Sequence, residues 1–426
     1  MELAEIAEFL KHAGGANVGQ EKLKIVSHEE LENRAANDRY SAAVKKALEV
    51  NSDEIPLYEH QYEALYALAE GKDVLMITPC GSGKTRVLEN GPEVARLGFE
   101  LRNNDVPFPI NPLGIVCCPL SSIMEEKLRV QENSGIVSMY GACTISSEER
   151  MKQSLSKSEA EDVLMSDRLN LIYGHPESFT TEIGKNILES NESRICLFAT
   201  DEVGFNIWGP DFRIFMSTVP GSIRAFAPSA PMLCMSATVG KSEQAKILGE
   251  LGMLNREHRV IASNPIKGHH LVTKLKRPSN QTGFNEEGGL GEMLVKLCLG
   301  EFVSDPVNCH KTVIFCKNEG DLVQIYEFIE GKIGSVFQNM KSRPWVQYHS
   351  SLGERTLKWI HKRLEKSEGE EIRLILSTYK LVMGVDLQDV DLAIFVRLVF
   401  VLSLQPLIGN IFQASQHHTL SGARNG

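Results

Sequence analysis

Residues 73–85 read Asp73-Val74-Leu75-Met76-Ile77-Thr78-Pro79-Cys80-Gly81-Ser82-Gly83-Lys84-Thr85. An apolar run this short, ending in a glycine-bearing turn and then a good helix start, predicts a buried strand, a phosphate-sized loop and a helix whose N-terminus faces the loop. A triphosphate carries several negative charges and must be held by groups that approach without bulk. Gly81 and Gly83 let backbone N–H groups converge on the phosphates, Lys84 can reach the β- and γ-phosphates, and the Thr85 hydroxyl can ligate Mg²⁺. The strict form of such a loop begins with Gly, where this chain has Thr78 followed by Pro79 and Cys80. ATP and Mg²⁺ are thus the expected ligands of Thr78 to Thr85, with Ser82 inside the loop.

Working outward, the same grammar repeats. Apolar runs at 113–118, 169–173, 195–199 and 232–235 alternate with helical stretches, which predicts a parallel sheet covered on both faces. A polar segment at 263–290, containing Arg277-Pro278-Ser279-Asn280, reads as a linker. Runs at 312–316, 345–348, 372–376 and 392–396 then predict a second sheet of the same kind. The expected organisation is a helical N-terminal extension at 1–54, a first α/β domain at 55–262, the linker, and a second α/β domain at 291–426. The extension is charged and Ala-rich and reads as peripheral to the first domain.

Composition narrows the function classes. The chain has 426 residues, 42% hydrophobic and 23% charged, as expected of a globular protein of more than one domain. Its net charge of −10 gives no global attraction to nucleic acid, so any such binding must come from a local groove. Nine cysteines occur without a Cys-x-x-Cys pair, which predicts buried reduced thiols and no zinc site. His417-His418 sits in a polar stretch without other ligand types and reads as solvated. The acidic start Met1-Glu2-Leu3 is not a secretory signal, and no run is long enough to span a bilayer, so an intracellular, soluble protein without membrane contact is expected.

Phosphoryl chemistry needs carboxylates beside the loop. Asp201-Glu202 supplies them at the end of the 195–199 run, with Asp201 suited to the metal and Glu202 to the attacking water. Gln61, one helix upstream of the loop, can pair with the donor and acceptor of an adenine edge. Ser236 and Thr238 end the next run, where their hydroxyls can bond to the catalytic carboxylates and couple hydrolysis to movement.

In this order the segments resemble superfamily-two helicases, and the RecQ family more closely. Thr78-Pro79-Cys80-Gly81-Ser82-Gly83-Lys84-Thr85 is similar to the helicase form of the loop. Asp201-Glu202 is followed by Trp208-Gly209-Pro210-Asp211-Phe212-Arg213, similar to the aromatic-rich loop by which that family senses single-stranded DNA. Cys118-Pro119-Leu120-Ser121-Ser122-Ile123-Met124 and Tyr173-Gly174-His175-Pro176-Glu177 resemble further family segments, as do Tyr348-His349-Ser350, Ser377-Thr378 and Met383-Gly384-Val385-Asp386. The resemblance covers about residues 55–390. It implies two tandem RecA-like domains and an ATP-dependent 3′–5′ DNA helicase, active on single-stranded and partly duplex DNA in repair and recombination, in the nucleus or also the cytoplasm. It implies nucleic-acid contacts from Ser121, Trp208, Phe212, Arg213 and Thr378, and nucleotide contacts from Gly384 and Asp386.

The sequence also departs from that family. Gly204 stands where the family has His after the acidic pair, and Tyr58 where a basic residue usually precedes Gln61. In the final motif Arg424 is kept, while Ser421 stands where a second Arg falls. Such an arginine is worth roughly 10³–10⁵ in rate in related phosphoryl-transfer systems. The zinc-binding and winged-helix modules that often follow have no counterpart. A second reading therefore stays open, that of a helicase-like protein that binds nucleic acid or protein partners with impaired turnover.

Overall fold

The computed structural model describes residues 24–79, 82–104, 106–108, 111–118, 138–140, 170–203, 221, 224–237, 239–263, 291, 294, 295, 299–304, 309–316, 318–335, 343–349, 351–364, 372–378 and 390–396. The chain divides into two compact units, one spanning Lys22–Pro265 and the other containing Ile266–Gly426.

The first unit opens with β1 (Ile25–Val26), α1 (His28–Asn37) and α2 (Arg39–Val50). Ser27 and Asp38 start the two helices because their side-chain oxygens accept otherwise orphaned N–H groups, from Glu30 N at 3.1 Å and Ser41 N at 2.7 Å. Then follow β2 (Leu57–Tyr58), α3 (Glu59–Ala69), β3 (Asp73–Ile77), α4 (Lys84–Arg102), β4 (Leu113–Cys117), β5 (Ser138–Tyr140), β6 (Leu171–Gly174), α5 (Glu182–Ser190), β7 (Ile195–Thr200), β8 (Met232–Ser236), α6 (Lys241–Glu250) and β9 (His258–Ala262). Seven of these strands form one parallel sheet in the order β5-β6-β4-β7-β8-β3-β9. Strands β3, β4, β7 and β8 are buried along their whole length, as continuous apolar runs between two helical layers must be. One face packs Leu65, Leu68, Val87, Leu88, Val94 and Leu97 against the sheet, and the other packs Phe179, Leu188, Ile247 and Leu251. Each such side chain contributes roughly 1.5–3 kcal/mol by leaving water.

The described residues before 54 are mostly helical, at His28–Asn37 and Arg39–Val50, and they are not an appendage. Leu31, Val44, Ala47 and Leu48 belong to the same core as α3 and α4. β1 pairs antiparallel with β2, Ile25 opposite Tyr58 and Val26 opposite Leu57, and so braces the start of α3. Lys24 and Arg34 both reach the Glu59 carboxylate, at 2.8 and 3.0 Å, and hold it below the usual carboxylate range. Farther along, α4 runs so close to the end of α3 that a Cβ on Gly98 would lie 2.1 Å from Ala69 O.

The second unit contains α7 (Gly300–Ser304), β10 (Thr312–Cys316), α8 (Glu319–Ile333), β11 (Trp345–Tyr348), α9 (Glu354–Leu364), β12 (Leu374–Ser377) and β13 (Leu392–Val396). Its parallel sheet has the order β11-β12-β10-β13, with apolar residues buried on both faces. Both units are therefore RecA-like α/β sheets, as the alternation of apolar runs predicts.

Candidate active site

Open parallel sheets collect ligands at the carboxyl ends of their strands, and among the described candidates Thr78, Asp201, Glu202 and Ser236 stand at that end of the first sheet. Ile77 at the end of β3 lies opposite Ser236 at the end of β8, and Thr200 at the end of β7 lies opposite Cys234. At a strand spacing of about 4.8 Å, β3 and β7 stand about 10 Å apart across β8, a span that a phosphate group and a cation fill. The loop after β3 and the acidic pair after β7 thus flank one position.

The loop is tied down from several sides. Thr78 N donates to Ser236 O at 3.1 Å, fixing the loop's first residue to β8. The Thr78 hydroxyl accepts from Ser82 Oγ at 2.7 Å, a closure that the Gly of the strict pattern could not make. Gly83 precedes α4 at φ 79°, in the left-handed region, and a Cβ there would lie 2.1 Å from Gln61 Nε2. Lys84 Nζ donates to Thr78 O at 3.0 Å and Pro79 O at 3.1 Å, so its ammonium lies over the loop itself. Thr85 follows in the first turn of α4.

On the other flank, Asp201 N donates to Cys117 O at 2.9 Å and Val203 N to Met235 O at 2.9 Å, so the chain turns out of β7 while fastened to both neighbouring strands. Asp201 is buried, and its Oδ1 accepts from Glu202 N at 3.0 Å. Glu202 adopts φ 50°, a costly conformation for a residue with a Cβ. Strain of this kind concentrates where a side chain must be aimed. Thr85 and Asp201 offer hydroxyl and carboxylate oxygens, the donors Mg²⁺ prefers, and the cradle at Gly83 has no room for a side chain; the residues fit a Mg–triphosphate. Among the described residues no group of three or more His, Cys, Asp or Glu could hold a metal by itself. A site sharing its cation with substrate phosphates needs no such group.

Gln61 is buried and faces the loop. Its Oε1 accepts from Tyr58 N at 2.9 Å, while Nε2 donates to Ser82 O at 3.2 Å and Gly83 O at 3.1 Å. Two residues that the sequence did not single out complete this corner. His60 Nε2 donates to Ser82 O at 2.9 Å, and its ring stacks on Tyr58 with centroids 5.6 Å apart. Burial, with a smaller effect from the Lys84 charge, pushes the His60 imidazolium below its ordinary range. Asp53, in the loop before β2, takes Arg86 Nε and Nη2 at 2.7 and 2.9 Å and Asn90 Nδ2 at 3.0 Å, clamping that loop to α4. Asp73, at the far end of β3, is fully buried and accepts from Arg224 at 2.6 Å and Met232 N at 2.9 Å.

In the second unit, Thr378 follows the carboxyl end of β12, its N–H donating to Tyr348 O at 3.2 Å. The remaining candidates, Cys80, Gly81, Ser121, Gly204, Trp208, Phe212, Arg213, Thr238, Gly384, Asp386 and Arg424, lie outside the described residues. No described helix is long and apolar enough to cross a membrane. The described cysteines Cys117, Cys118, Cys196, Cys234, Cys309 and Cys316 are buried thiols outside any disulfide, and burial pushes the Cys316 thiol up to about 12.

The DEAD/DEAH box helicase family matches residues 58–247. ATP-dependent DNA helicase RecQ of Haemophilus influenzae is 22% identical over 78% of this chain and 45% of its own. ATP-dependent DNA helicase Q1 of Pongo abelii is 25% identical over 78% of this chain and 45% of its own. The chain thus spans about half the length of these relatives. The crystal structure of the DUF1998 helicase MrfA bound to DNA and AMPPNP aligns with a TM-score of 0.57 at 17% identity, over 93% of this chain and 51% of that one. Mss116p bound to ssRNA and AMP-PNP aligns with a TM-score of 0.55 at 14% identity, over 93% and 73%. At such identities the structural likeness speaks for the fold alone. Residues 58–247 are thus similar to DEAD/DEAH box helicases, and the sequence relatives of the chain are RecQ and Q1 DNA helicases.

Proposed function

We propose that the protein is an ATP-dependent DNA helicase that moves 3′ to 5′ along single-stranded DNA and separates partly duplex DNA. The observation that carries this reading is the pairing of the Thr78–Thr85 loop after β3 with Asp201-Glu202 after β7, on either side of β8. In this reading Lys84 grips the β- and γ-phosphates, Thr85 and Asp201 hold Mg²⁺, and Glu202 takes the proton of the water that attacks the γ-phosphorus as the bond to the ADP oxygen breaks. Mg²⁺, when bound, supplies neutralisation of phosphate charge. Arg424 stabilises the charge that develops on the transferring group. Ser236 and Thr238 link the carboxylates to movement, and Gly384 and Asp386 touch the nucleotide from the second domain. Ser121, Trp208, Phe212, Arg213 and Thr378 hold the strand, the two aromatic rings by stacking on bases. The functional halves are 55–262 and 291–426, joined by 263–290. The names of the relatives, DNA helicases RecQ and Q1, support DNA over RNA as the track. A location with chromosomal DNA, the nucleus in a eukaryotic cell, belongs to the same reading.

Strand separation tests it. With ATP and Mg²⁺, a duplex bearing a 3′ single-stranded tail is opened and one bearing a 5′ tail is not. Opening only the 5′-tailed duplex overturns the polarity. Tight ATP binding without opening or hydrolysis moves the protein to the turnover-impaired class.

A further inference from the structure

A chain of net charge −10 can hold a nucleic-acid strand only where positive charge gathers locally and rings are offered to the bases. Helix α9 brings the two together. Its sequence, Glu354-Arg355-Thr356-Leu357-Lys358-Trp359-Ile360-His361-Lys362-Arg363-Leu364, has four Lys or Arg against one Glu. Ile360 and Leu364 turn inward and pack with Val346 and Ile375 in the core of the second unit. Trp359 turns outward and is 48% exposed, whereas the other exposed large apolar side chains among the described residues are all Ile, Leu or Val. A single exposed apolar side chain is ordinary in itself.

The way Trp359 is held is not ordinary. Arg363, one turn on, lays its guanidinium over one face of the indole, with Cζ 4.8 Å from the ring centroid. That guanidinium is anchored, since Arg363 is buried and its Nη1 and Nη2 both donate to Arg343 O at 3.2 Å. Arg343 is fixed in turn, through Nη1 to Gly334 O at 2.9 Å, Nη2 to Glu330 Oε1 at 2.8 Å, and its Cζ 5.3 Å from the Trp345 ring centroid. The indole is thus ordered before any ligand arrives, which lowers the cost of stacking on it. A protein partner would look for apolar neighbours around the ring. One turn before Trp359 stands exposed Arg355, and one turn after it Arg363. A nucleic-acid strand uses this arrangement fully, with a base on the ring and phosphates near the cations. The place also suits a strand: α9 follows β11 at the carboxyl end of the second sheet, where Thr378 N bonds Tyr348 O, and Trp359 lies about 7.5 Å along the helix from its start.

We propose that the open face of Trp359 is a stacking platform for a base of single-stranded DNA, backed by Arg363, which extends the strand's contacts in the second unit from the end of β12 onto α9. The proposal rests on the reading of the protein as a DNA helicase.

An oligothymidylate and an abasic strand of the same length, each with a terminal dye, are titrated by fluorescence anisotropy with the full chain, Trp359→Ala and Trp359→Phe. Trp359→Ala is expected to weaken the oligothymidylate roughly 5- to 100-fold, as for one lost base stack, to leave the abasic strand nearly unchanged, and Trp359→Phe to recover most of the loss. Indole emission gives a second readout that does not depend on the alanine variant folding. In Trp208→Phe the remaining indoles are Trp359 and the buried Trp345, so the oligothymidylate should quench emission, and adding Trp359→Phe should remove that quench. Oligothymidylate affinity unchanged in Trp359→Ala overturns the proposal and leaves the ring as a protein-docking residue. Equal weakening of both strands, or a quench that survives Trp359→Phe, overturns it as well. Failure of the underlying reading looks different: the unmodified chain then binds neither strand, and the proposal falls with it.

Discussion

Replacing Asp53 by alanine should cost the first unit much of its margin, although Asp53 lies outside every motif. Its carboxylate accepts Arg86 Nε at 2.7 Å, Arg86 Nη2 at 2.9 Å and Asn90 Nδ2 at 3.0 Å, with the Asp53 and Arg86 side chains each 15% exposed. A hydrogen bond to a charged group is worth about 1.5–3 kcal/mol when broken from one side, and bonds sharing one carboxylate do not add. Arg86 keeps its bonds to Ile55 O and Pro56 O, which limits the loss. The expected destabilisation is about 2–4 kcal/mol. For a unit of this size that lowers Tm by roughly 5–12 °C. Urea and thermal melts of Asp53→Ala beside Glu54→Ala provide the assay, since Glu54 is exposed and its loss should stay within about 0.5 kcal/mol. Equal melts for the two variants would refute the clamp. A loss confined to nucleotide binding would show that Asp53 serves the ligand rather than the fold.

Other perturbations bear on the site. Gly83→Ala forces a Cβ into the left-handed region and against Gln61 Nε2, so it should destabilise by about 1–3 kcal/mol and abolish ATP binding; unchanged calorimetric affinity would contradict the loop geometry. Glu202→Gly removes a side chain from a strained φ of 50° and should leave the melting temperature unchanged or higher while ATP turnover disappears; a melting drop with turnover intact would reverse the assignment. His60 has a lowered pKa in the folded chain, so as pH falls below about 6.5 the unfolded state takes up the proton first and stability is lost. The slope of stability against pH below that point should shrink in His60→Gln, and an unchanged slope would show that His60 titrates alike in both states.

The sequence disclosed the fold where burial is two-sided. β3, β4, β7 and β8 are apolar without interruption, and such runs have few alternatives. It stayed silent at the sheet's rims: β9, His258-Arg259-Val260-Ile261-Ala262, is an edge strand half open to water, and its mixed polarity carries neither strand nor helix period. β5, Ser138–Tyr140, is the opposite edge and too short to leave a pattern. The helical, Ala-rich character of 1–54 was visible, but composition alone could not say that Val44, Ala47 and Leu48 join the core of the first unit. At the site, Asp201, Glu202 and Ser236 were legible because each follows or closes an apolar run at a strand's carboxyl end, and Lys84 and Thr85 because they follow the glycine-bearing loop after such a run. Asp53, Arg86 and Asn90 were not, since a pairing across more than thirty positions has no local mark. Gln61 was legible as a residue, yet its partners Ser82 O and Gly83 O are backbone atoms that no side-chain pattern reports.

Phosphate release from ATP, followed with and without single-stranded DNA in the unmodified chain and in Lys84→Ala, tests the central claim most directly. The account predicts hydrolysis that rises severalfold with DNA and vanishes in Lys84→Ala. Hydrolysis indifferent to DNA, or surviving without the Lys84 ammonium, would contradict it.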